Sequence, residues 1–288
     1  MRSDLESALV DWENNVVKQL PSDDISRLPE YALHLSRVIA FPELDINLEL
    51  KRIDEIGMKI RELTKNLSDL RPTQIIEKIN DQLYRKENFR PNKDDYYNPL
   101  NSFLNVVLKR RVGIPITLSM LYMRIANFLN FLLVPVNFPS HFLVKHVLEG
   151  DSEIIIDPYN EGRIMDDYSL KQLLDQTFLR SNVTLTRSFV ERATVAKVIL
   201  RMLNNLKTSY FECQDISKAE LVNEMILLID KNDQYGFRDR GMILLRKKHQ
   251  KEALDIFREY IEKYPEAEDI DPILDIIRSL KKNKGAEK

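Results

Sequence analysis

The sequence is poor in cysteine, histidine and glycine. It has one cysteine, Cys213, so no disulfide can form within the chain. Its four histidines stand at positions 34, 141, 146 and 249 and give no local metal-ligand spacing. Only 7 glycines occur, and none belongs to a phosphate-binding loop or a dinucleotide fingerprint, which disfavours nucleotide chemistry. We therefore expect neither a metal nor a cofactor.

The chain also lacks a strong charge of either sign. The formal net charge is -2, and the isoelectric point is near 6.2. This balance gives no electrostatic reason to expect a nucleic acid or an anionic membrane as partner. No basic segment followed by an apolar one opens the sequence, and no uninterrupted apolar run has the length of a membrane span. The expected compartment is therefore the cytoplasm.

What the sequence does have is a helical pattern over residues 1–87. The chain is 43% hydrophobic, enough to bury a core, and in this region apolar residues recur three and four apart. We expect these helices to pack on the following domain. Trp12 and His34 lie within such patterns, which favours packing roles for both.

The sequence pattern changes over residues 88–186, and there it predicts an α+β domain. A polar loop, "RPNKDDYYNPLNSF", precedes a short helix and then the most apolar helix of the chain, "IPITLSMLYMRIANFLNFLL". The runs "VPVNF", "HFLVKHVL" and "SEIIIDPY" are branched or aromatic and separated by turn residues, so they predict strands, with "EGDS" as a hairpin turn. A helix apolar on nearly all sides should be central.

Residues 187–281 again read as helices and contain an internal repeat. Ala219 and Ala253 are 34 residues apart, the period of a tetratricopeptide repeat. Further residues match the offsets of this repeat, in which small residues let paired helices approach closely and an aromatic fills the space beside them. They are Leu206 and Tyr210 in the first unit and Gly241, Phe257 and Pro265 in the second. The last helix, "DIDPILDIIRSL", should cap the array, and residues 282–288 should form a solvated tail.

Several motifs in order resemble the SirB-type family. They are "NSFLNVVLKRRVGIPITLSMLY", "FPSHFLVKH", "IDPYN", "RMLNNLK" and "RDRG". Proteins of this family join a transglutaminase-like domain to tetratricopeptide repeats. The resemblance implies a transglutaminase-like or papain-like core, in which a central helix packs on a small antiparallel sheet. It does not by itself imply a reaction.

An active site of this type has a nucleophilic cysteine at the start of the central helix. The matching position here is at or next to Pro115, and no cysteine lies within that turn. Cys213 falls in the first repeat unit, where a buried structural thiol is expected. Thr117 lies in the first turn, and either a capping role or a nucleophilic role is open to it, the capping role being favoured.

His141 and Asp157 match the remaining pair of the family's site. In one interpretation Asp157 orients His141 as a general base; in the other, Asp157 satisfies backbone amides before Pro158 and His141 is a hydrogen-bonded support. Strand alternation decides their proximity. A two-residue turn would place them on opposite faces, whereas a three- or five-residue turn would place them on the same face.

The cleft beside this pair has further candidate residues. Tyr97 and Asn101 are candidate ligand contacts, although Asn101 capping the next helix is the simpler interpretation. Arg111 is a candidate anion contact or a solvated charge. Gly113 predicts a close backbone approach and Pro115 a first-turn position in the helix.

Two functions remain open on sequence alone. The first is a non-catalytic protein-interaction or regulatory protein, whose repeats bind a protein or peptide partner. In that hypothesis Arg238, Arg240 and Arg246 favour an acidic partner, although a solvated face is an equally economical interpretation. The second is a hydrolase or transferase acting on amide or isopeptide bonds through His141 and Asp157, with Thr117 or an activated water as nucleophile.

Overall fold

A computed structural model describes residues 2–64, 66–179 and 183–286 of the chain. The α-helices in these ranges are α1 (Arg2–Asn15), α2 (Leu28–Ile39), α3 (Ile46–Leu63), α4 (Pro72–Asn80), α5 (Leu104–Arg110), α6 (Pro115–Phe128), α7 (Asp167–Thr177), α8 (Val195–Glu212), α9 (Ile216–Ile229), α10 (Gln234–Arg246), α11 (Gln250–Lys263) and α12 (Ile270–Ala286). The strands are β1 (Arg90–Pro91), β2 (Val112–Gly113), β3 (Val134–Val136), β4 (Leu143–Val147), β5 (Glu153–Asp157) and β6 (Arg163–Met165). The predicted fold class, mostly helical α+β, is confirmed.

The chain divides into two compact units. Residues 14–202 form one, called here the core unit, and residues 1–13 with 203–288 form the other, called here the helical unit. This division differs from the predicted boundaries after residues 87 and 186. Helices α2 and α3 contact the central helix α6 and so belong to the same unit as the sheet. Amphipathic periodicity marks a helix but does not say which partner its apolar face meets.

Helix α6 is the centre of the core unit. Most of its residues are buried, as its nearly continuous apolar character predicts. Pro115 occupies the first turn, where its missing N–H costs no hydrogen bond. The helix ends at Phe128, before the predicted end at Leu133, and the backbone turns at Asn130 with a left-handed φ of 60°.

The antiparallel sheet has the strand order β3-β4-β5-β6. Strands β4 and β5 form the predicted hairpin, in which Val147 pairs with Glu153 and Val144 with Ile156. A single 3₁₀ turn, Glu149–Asp151, joins them, with Gly150 at φ 72°. Strand β4 contacts α6, which places the central helix on the sheet. Strand β6 and helix α7 extend this domain beyond the elements that the sequence indicated, as does the parallel pair β1 and β2.

The helical unit is built of helices that pack on their neighbours in the sequence. Helix α10 packs on α9 and α11, and α12 packs on α11. A Cβ at Gly241 would lie 2.5 Å from Phe257 Cε1, so glycine at this position allows the aromatic ring to contact the helix backbone. Trp12 is fully buried, and its Nε1 donates to Met225 O at 3.3 Å.

Two features of this unit differ from expectation. Cys213 follows the end of α8 and is exposed rather than buried, because the helix stops at Glu212. The predicted tail 282–288 is helical through Ala286, and positions 287 and 288 lie outside the described residues. No helix in the described ranges combines the length and the apolar character that crossing a bilayer requires.

The helical unit contains a buried ion pair between α8 and α10. Lys207 is 3% exposed, and its Nζ lies 2.7 Å from Asp239 Oδ2 and 3.2 Å from Asn223 Oδ1. Removal of one member of a buried pair leaves the other charge without compensation.

Asp239→Asn should therefore lower the free energy of unfolding of the helical unit by about 3 kcal/mol or more. Urea titration followed by the fluorescence of Trp12, the single tryptophan of the chain, reports on this unit. Asp255→Asn is the matched control, because Asp255 forms an exposed pair with Arg258 at 3.2 Å. The control should cost at most about 1 kcal/mol. Equal shifts of the two midpoints would contradict the prediction.

Candidate functional site

His141 and Asp157 are in direct contact. His141 Nε2 lies 2.8 Å from Asp157 Oδ1, and the two residues are 7% and 1% exposed. His141 belongs to the turn that precedes β4, whereas Asp157 is the last residue of β5. A buried carboxylate bonded to one imidazole nitrogen fixes the orientation of the ring, as the orienting acid does in a catalytic triad.

The hairpin turn determines this contact. The register of β4 and β5 places Leu148 opposite Ser152, and the Leu148 N–H donates to the Ser152 carbonyl at 2.8 Å. Three residues therefore close the turn, one of the odd lengths that keep His141 and Asp157 on the same side of the sheet. His146 takes no part, since its Nδ1 bonds to Leu132 O at 2.8 Å and its ring packs on Phe131.

Asp157 also fulfils the other role that the sequence left open. Its Oδ1 accepts from the backbone N–H groups of Tyr159 and Asn160, at 3.0 and 3.2 Å. Its Oδ2 accepts from Asn160 Nδ2 at 2.6 Å. The carboxylate thus organises its own turn as well as the imidazole of His141, and the two interpretations are compatible.

These contacts affect the ionisation of Asp157. Burial favours the neutral acid, but the hydrogen bond and the charge of His141, together with the two bonds from Asn160, outweigh it and hold the pKa of Asp157 below its usual value. Asp157 is therefore a stable anion, well suited to orient an imidazole and poorly suited to donate a proton near neutral pH.

A chain of hydrogen bonds links this pair to the start of α6. The Tyr159 ring lies edge-on to His141, with ring centroids 5.7 Å apart, and the Tyr159 hydroxyl donates to Asn92 O at 3.0 Å. Asn92 Nδ2 donates to Asn101 Oδ1 at 2.8 Å, and the Thr117 hydroxyl lies 3.2 Å from Asn101 O. The amino end of the central helix and the imidazole thus belong to one network of contacts.

Thr117 is a capping residue in this structure. Its side chain is fully buried, and Oγ1 accepts from Ile114 N at 3.1 Å. The carbonyls of Ile114 and Asn101 lie 3.1 and 3.2 Å from the same oxygen and share its one hydrogen. A Cβ at Gly113 would lie 2.9 Å from Thr117 Oγ1, which accounts for glycine at this close approach. The hydroxyl is therefore enclosed by backbone groups.

The other predicted cleft residues are placed differently. Asn101 is 1% exposed and does not cap α5; its Nδ2 instead donates to the carbonyls of Asp95 and Tyr96, at 2.7 and 3.1 Å. Tyr97 is 59% exposed and contacts the ring of Tyr96. The expected cap of α5 is therefore wrong, because the amide of Asn101 instead stabilises the loop that precedes the helix.

Arg111 belongs to another cavity. Its Nη2 bonds to Glu87 Oε2 at 3.0 Å, and its guanidinium lies over the Phe89 ring. With Lys59 and Arg52 it lines a pocket on α3 and α5. Nothing in the described contacts joins Arg111 to the His141 pair, so we do not assign it to that site.

Sequence reasoning gave no role to Asn92, Tyr159 or Asn160, although all three lie within stretches that it singled out. It also missed the anchors of the turn after β5. The Tyr84 hydroxyl, in a π-helical turn, donates to Pro158 O at 2.6 Å, and Asn80 Nδ2 donates to Gly162 O at 3.1 Å. No sequence pattern relates segments so far apart.

Two of the three arginines proposed for partner binding, Arg238 and Arg246, line a groove of the helical unit, and Arg240 does not. Arg238 bonds to Asp239 and Asp269, and Arg240 forms a two-bond pair with Glu224. Arg246 lines the groove without a carboxylate partner among the described residues. Most of the positive charge expected to attract an acidic partner is thus compensated inside the unit. The groove has a volume of about 510 Å³ and is lined on its apolar side by Met242, Ile273 and Ile276.

No group of three or more histidine, cysteine or acidic side chains able to hold a metal occurs in the described part of the chain. The arrangement of the core unit, a central helix on an antiparallel sheet with a buried His–Asp pair, is that of a transglutaminase-like domain. A family model described as "Transglutaminase-like superfamily" matches residues 49–204. The match covers more than half of the chain and ends beside the carboxyl end of the core unit.

Comparison with known proteins identifies the relatives. A protein of Xylella fastidiosa (strain Temecula1), named "UPF0162 protein", is 29% identical over 93% of this chain and 94% of its own length. "Protein SirB1" of Salmonella typhimurium is 30% identical over 83% of this chain and 85% of its own length. "F-box only protein 21" of Mus musculus is 36% identical over 60% of this chain but only 27% of its own length. The chain therefore belongs to the SirB-type family of transglutaminase-like proteins. No solved structure matches it significantly.

The low pKa of Asp157 leads to a prediction about pH. A carboxyl whose pKa is lower in the folded than in the unfolded state stabilises the fold above its unfolded pKa, near 3.9, and loses this contribution as the pH falls through the folded pKa. Asp157→Asn should therefore destabilise the core unit by about 1–3 kcal/mol near pH 7, because hydrogen bonds to the anion are weakened. The difference from wild type should shrink below about pH 4.

Urea unfolding followed by far-ultraviolet circular dichroism between pH 3 and pH 7 measures this difference. Asp175→Asn is the control, because Asp175 lies on the exposed side of α7 and pairs with Lys171. A difference between wild type and Asp157→Asn that stayed constant over the whole pH range would rule out a depressed pKa for Asp157.

Proposed function

We propose that this protein is a non-catalytic binding protein. In this proposal the transglutaminase-like core has lost its nucleophile, and the repeat helices bind a protein or peptide partner. Thr117 carries the first half of the argument. It is the hydroxyl nearest the start of α6, and it is fully buried and engaged with backbone groups at three positions. A base with nothing to deprotonate does not support covalent catalysis.

Ser119, the next hydroxyl of α6, supports the same conclusion. It is fully buried, and its Oγ donates to Phe142 O at 3.4 Å. Cys213 lies after the final turn of α8, not in the turn that opens α6. The first turn of the central helix therefore has no thiol, which is the group that the chemistry of this fold requires there.

The groove of the helical unit supports partner binding. Helices α8, α10 and α12 contribute to its walls, which combine apolar side chains with both charge signs. A concave surface on stacked helix pairs is the kind of surface with which repeat proteins bind extended or helical segments. Because Arg238 and Arg240 are already paired, shape and apolar contact contribute more to this groove than net positive charge.

The absence of catalysis predicts equal rates for wild type, His141→Ala and Asp157→Ala. All three proteins should hydrolyse or transfer a panel of peptide amides and isopeptides no faster than the uncatalysed background, since no nucleophile is available. Ammonia release and amine incorporation are the measurements. Activity in wild type that falls by about 100-fold or more in His141→Ala would show general-base catalysis instead.

The groove makes a separate prediction. Partners retained by the wild-type chain in a binding assay should be lost with Arg246→Glu, because Arg246 is exposed at the groove with no internal carboxylate among the described residues. Lys251→Glu is the charge-matched control, since Lys251 is an exposed residue of α11 outside the groove. Arg240→Glu should have a smaller direct effect, because Glu224 already compensates Arg240. Equal retention by wild type and Arg246→Glu would count against the groove as the partner site.

One observation favours the alternative function, an amide or isopeptide hydrolase or transferase. The His141–Asp157 hydrogen bond has the geometry of a working base and its orienting acid. In that case a water, rather than Thr117, would be the nucleophile, because the hydroxyl of Thr117 is enclosed. The comparison of His141→Ala with wild type decides between the two functions.

A further inference from the structure

Arg201 is an arginine of the core unit without a counter-ion. Its Nη1 donates to Asn137 Oδ1 and, at 2.7 Å, to Phe138 O. Both acceptors are neutral, and no carboxylate pairs with this guanidinium among the described residues. Burial lowers the pKa of Arg201, so its positive charge is partly withdrawn from water without compensation.

Several other arginines of the core unit pair with a carboxylate, whereas Arg61 donates to the carbonyl of Phe128. The pairs are Arg27 with Glu30, Arg111 with Glu87, Arg124 with Asp54 and Arg192 with Asp23. A partly buried cation that differs from these is a candidate for binding an anion that is not part of the chain.

Arg201, a residue of α8, contacts the turn that carries His141. The Phe138 carbonyl accepts both from Arg201 Nη1 and, at 3.1 Å, from the backbone N–H of His141. The guanidinium also lies over the ring of Phe142, 5.7 Å from its centroid. Residues before and after His141 in the sequence therefore contact the guanidinium.

Tyr96 closes this arrangement from the other side. Burial raises the pKa of Tyr96 and the charge of Arg201 opposes this rise, while the Tyr159 ring is 5.7 Å from that of His141. Asn101 holds the Tyr96 carbonyl at 3.1 Å, so the aromatic side of the site is preformed. Tyr96 and Tyr97 are 40% and 59% exposed, so both rings lie at the surface.

We propose that Arg201 is the anchor of a carboxylate-binding site beside His141, with Tyr96 and Tyr97 as its aromatic edge. The bonds to Asn137 and Phe138 use only Nη1, so Nε and Nη2 remain as the pair of parallel donors that a carboxylate accepts. One guanidinium balances one charge, and the Asp157 anion disfavours a dianion such as phosphate nearby. The ligand is the carboxylate of a peptide, at its carboxyl terminus or on an acidic side chain.

This inference goes beyond the proposed function, because it assigns a ligand class to the core unit and does not involve the groove of the helical unit. The two can fail separately. Catalysis by His141 would overturn the non-catalytic role and leave carboxylate binding intact, whereas loss of carboxylate binding would leave the groove unaffected.

Nuclear magnetic resonance of the four histidine rings in the full chain tests the proposal, with the His141 signal assigned from its loss in His141→Ala. N-acetyl-tyrosine should shift the His141 signal saturably, whereas N-acetyl-tyrosinamide should not. The amide of N-acetyl-glutamate, with only its side-chain carboxylate free, distinguishes the two sources of the carboxylate. Arg201→Gln should weaken binding by about tenfold or more, the usual effect of losing hydrogen bonds to a charged group.

The controls separate binding from general charge and from misfolding. Lys109→Gln removes an exposed cation of α5 and should leave the affinity unchanged. Arg201→Lys keeps the charge but loses the two-donor geometry, so it should bind with intermediate affinity. The other histidine signals report whether each variant is folded, and the acid–amide comparison in wild type needs no variant. Equal binding of acid and amide, an unshifted His141 signal, unchanged affinity in folded Arg201→Gln, or tighter binding of inorganic phosphate would each overturn the proposal.

Discussion

The hydrogen bonds of Thr117 at the amino end of α6 are the constraint on which the rest of the core unit depends. The missing side chain of Gly113 lets this hydroxyl approach the preceding backbone, where it bonds to Ile114 N and lies beside Asn101 O. Asn101 in turn fixes Asn92, and Asn92 O accepts from Tyr159 next to His141. The start of the helix, the preceding loop and the imidazole turn thus form one structure. The same bonds enclose the hydroxyl oxygen of Thr117, so this oxygen is poorly placed to act as a nucleophile.

The proposed binding role rests on a site in which the imidazole is oriented and the nearest hydroxyl is enclosed. Asp157 divides its oxygens between His141 and the amides of its own turn, so the pair contributes to the stability of the loop whatever the function. Arg201 adds a positive charge that no carboxylate among the described residues neutralises. Ligand binding needs preorganised polar groups but no reacting atom. The proposed site offers such groups, namely a fixed imidazole, an unpaired guanidinium and exposed tyrosines.

The sequence predicted the elements whose signal is local. The apolar periodicity of α6 and the branched runs of β4 and β5 were sufficient, because burial on known faces produces them. The sequence left the proximity of His141 and Asp157 open, because their proximity depends on whether the hairpin turn has an odd number of residues. Hydrophobic periodicity does not predict the φ of 72° at Gly150 that allows the three-residue turn. Arg201 was passed over because an arginine in a helix is usually a solvated charge. Only the neutral acceptors Asn137 and Phe138 distinguish it, and they lie about 60 residues away.

Positions that are 34 residues apart in the helical unit make different kinds of contact. Lys207 and Asn223 stand 34 residues before Gly241 and Phe257, so the polar contact of the first unit occupies the positions of the glycine–aromatic contact of the second. A lysine buried at such a position requires a carboxylate, which Asp239 supplies from α10. Asp239 also bonds to Arg238 at the groove, so the ion pair inside the first unit fixes part of the charge on the groove wall. Because this charge is compensated within the unit, the proposed binding at the groove depends mainly on its shape and on its apolar side chains.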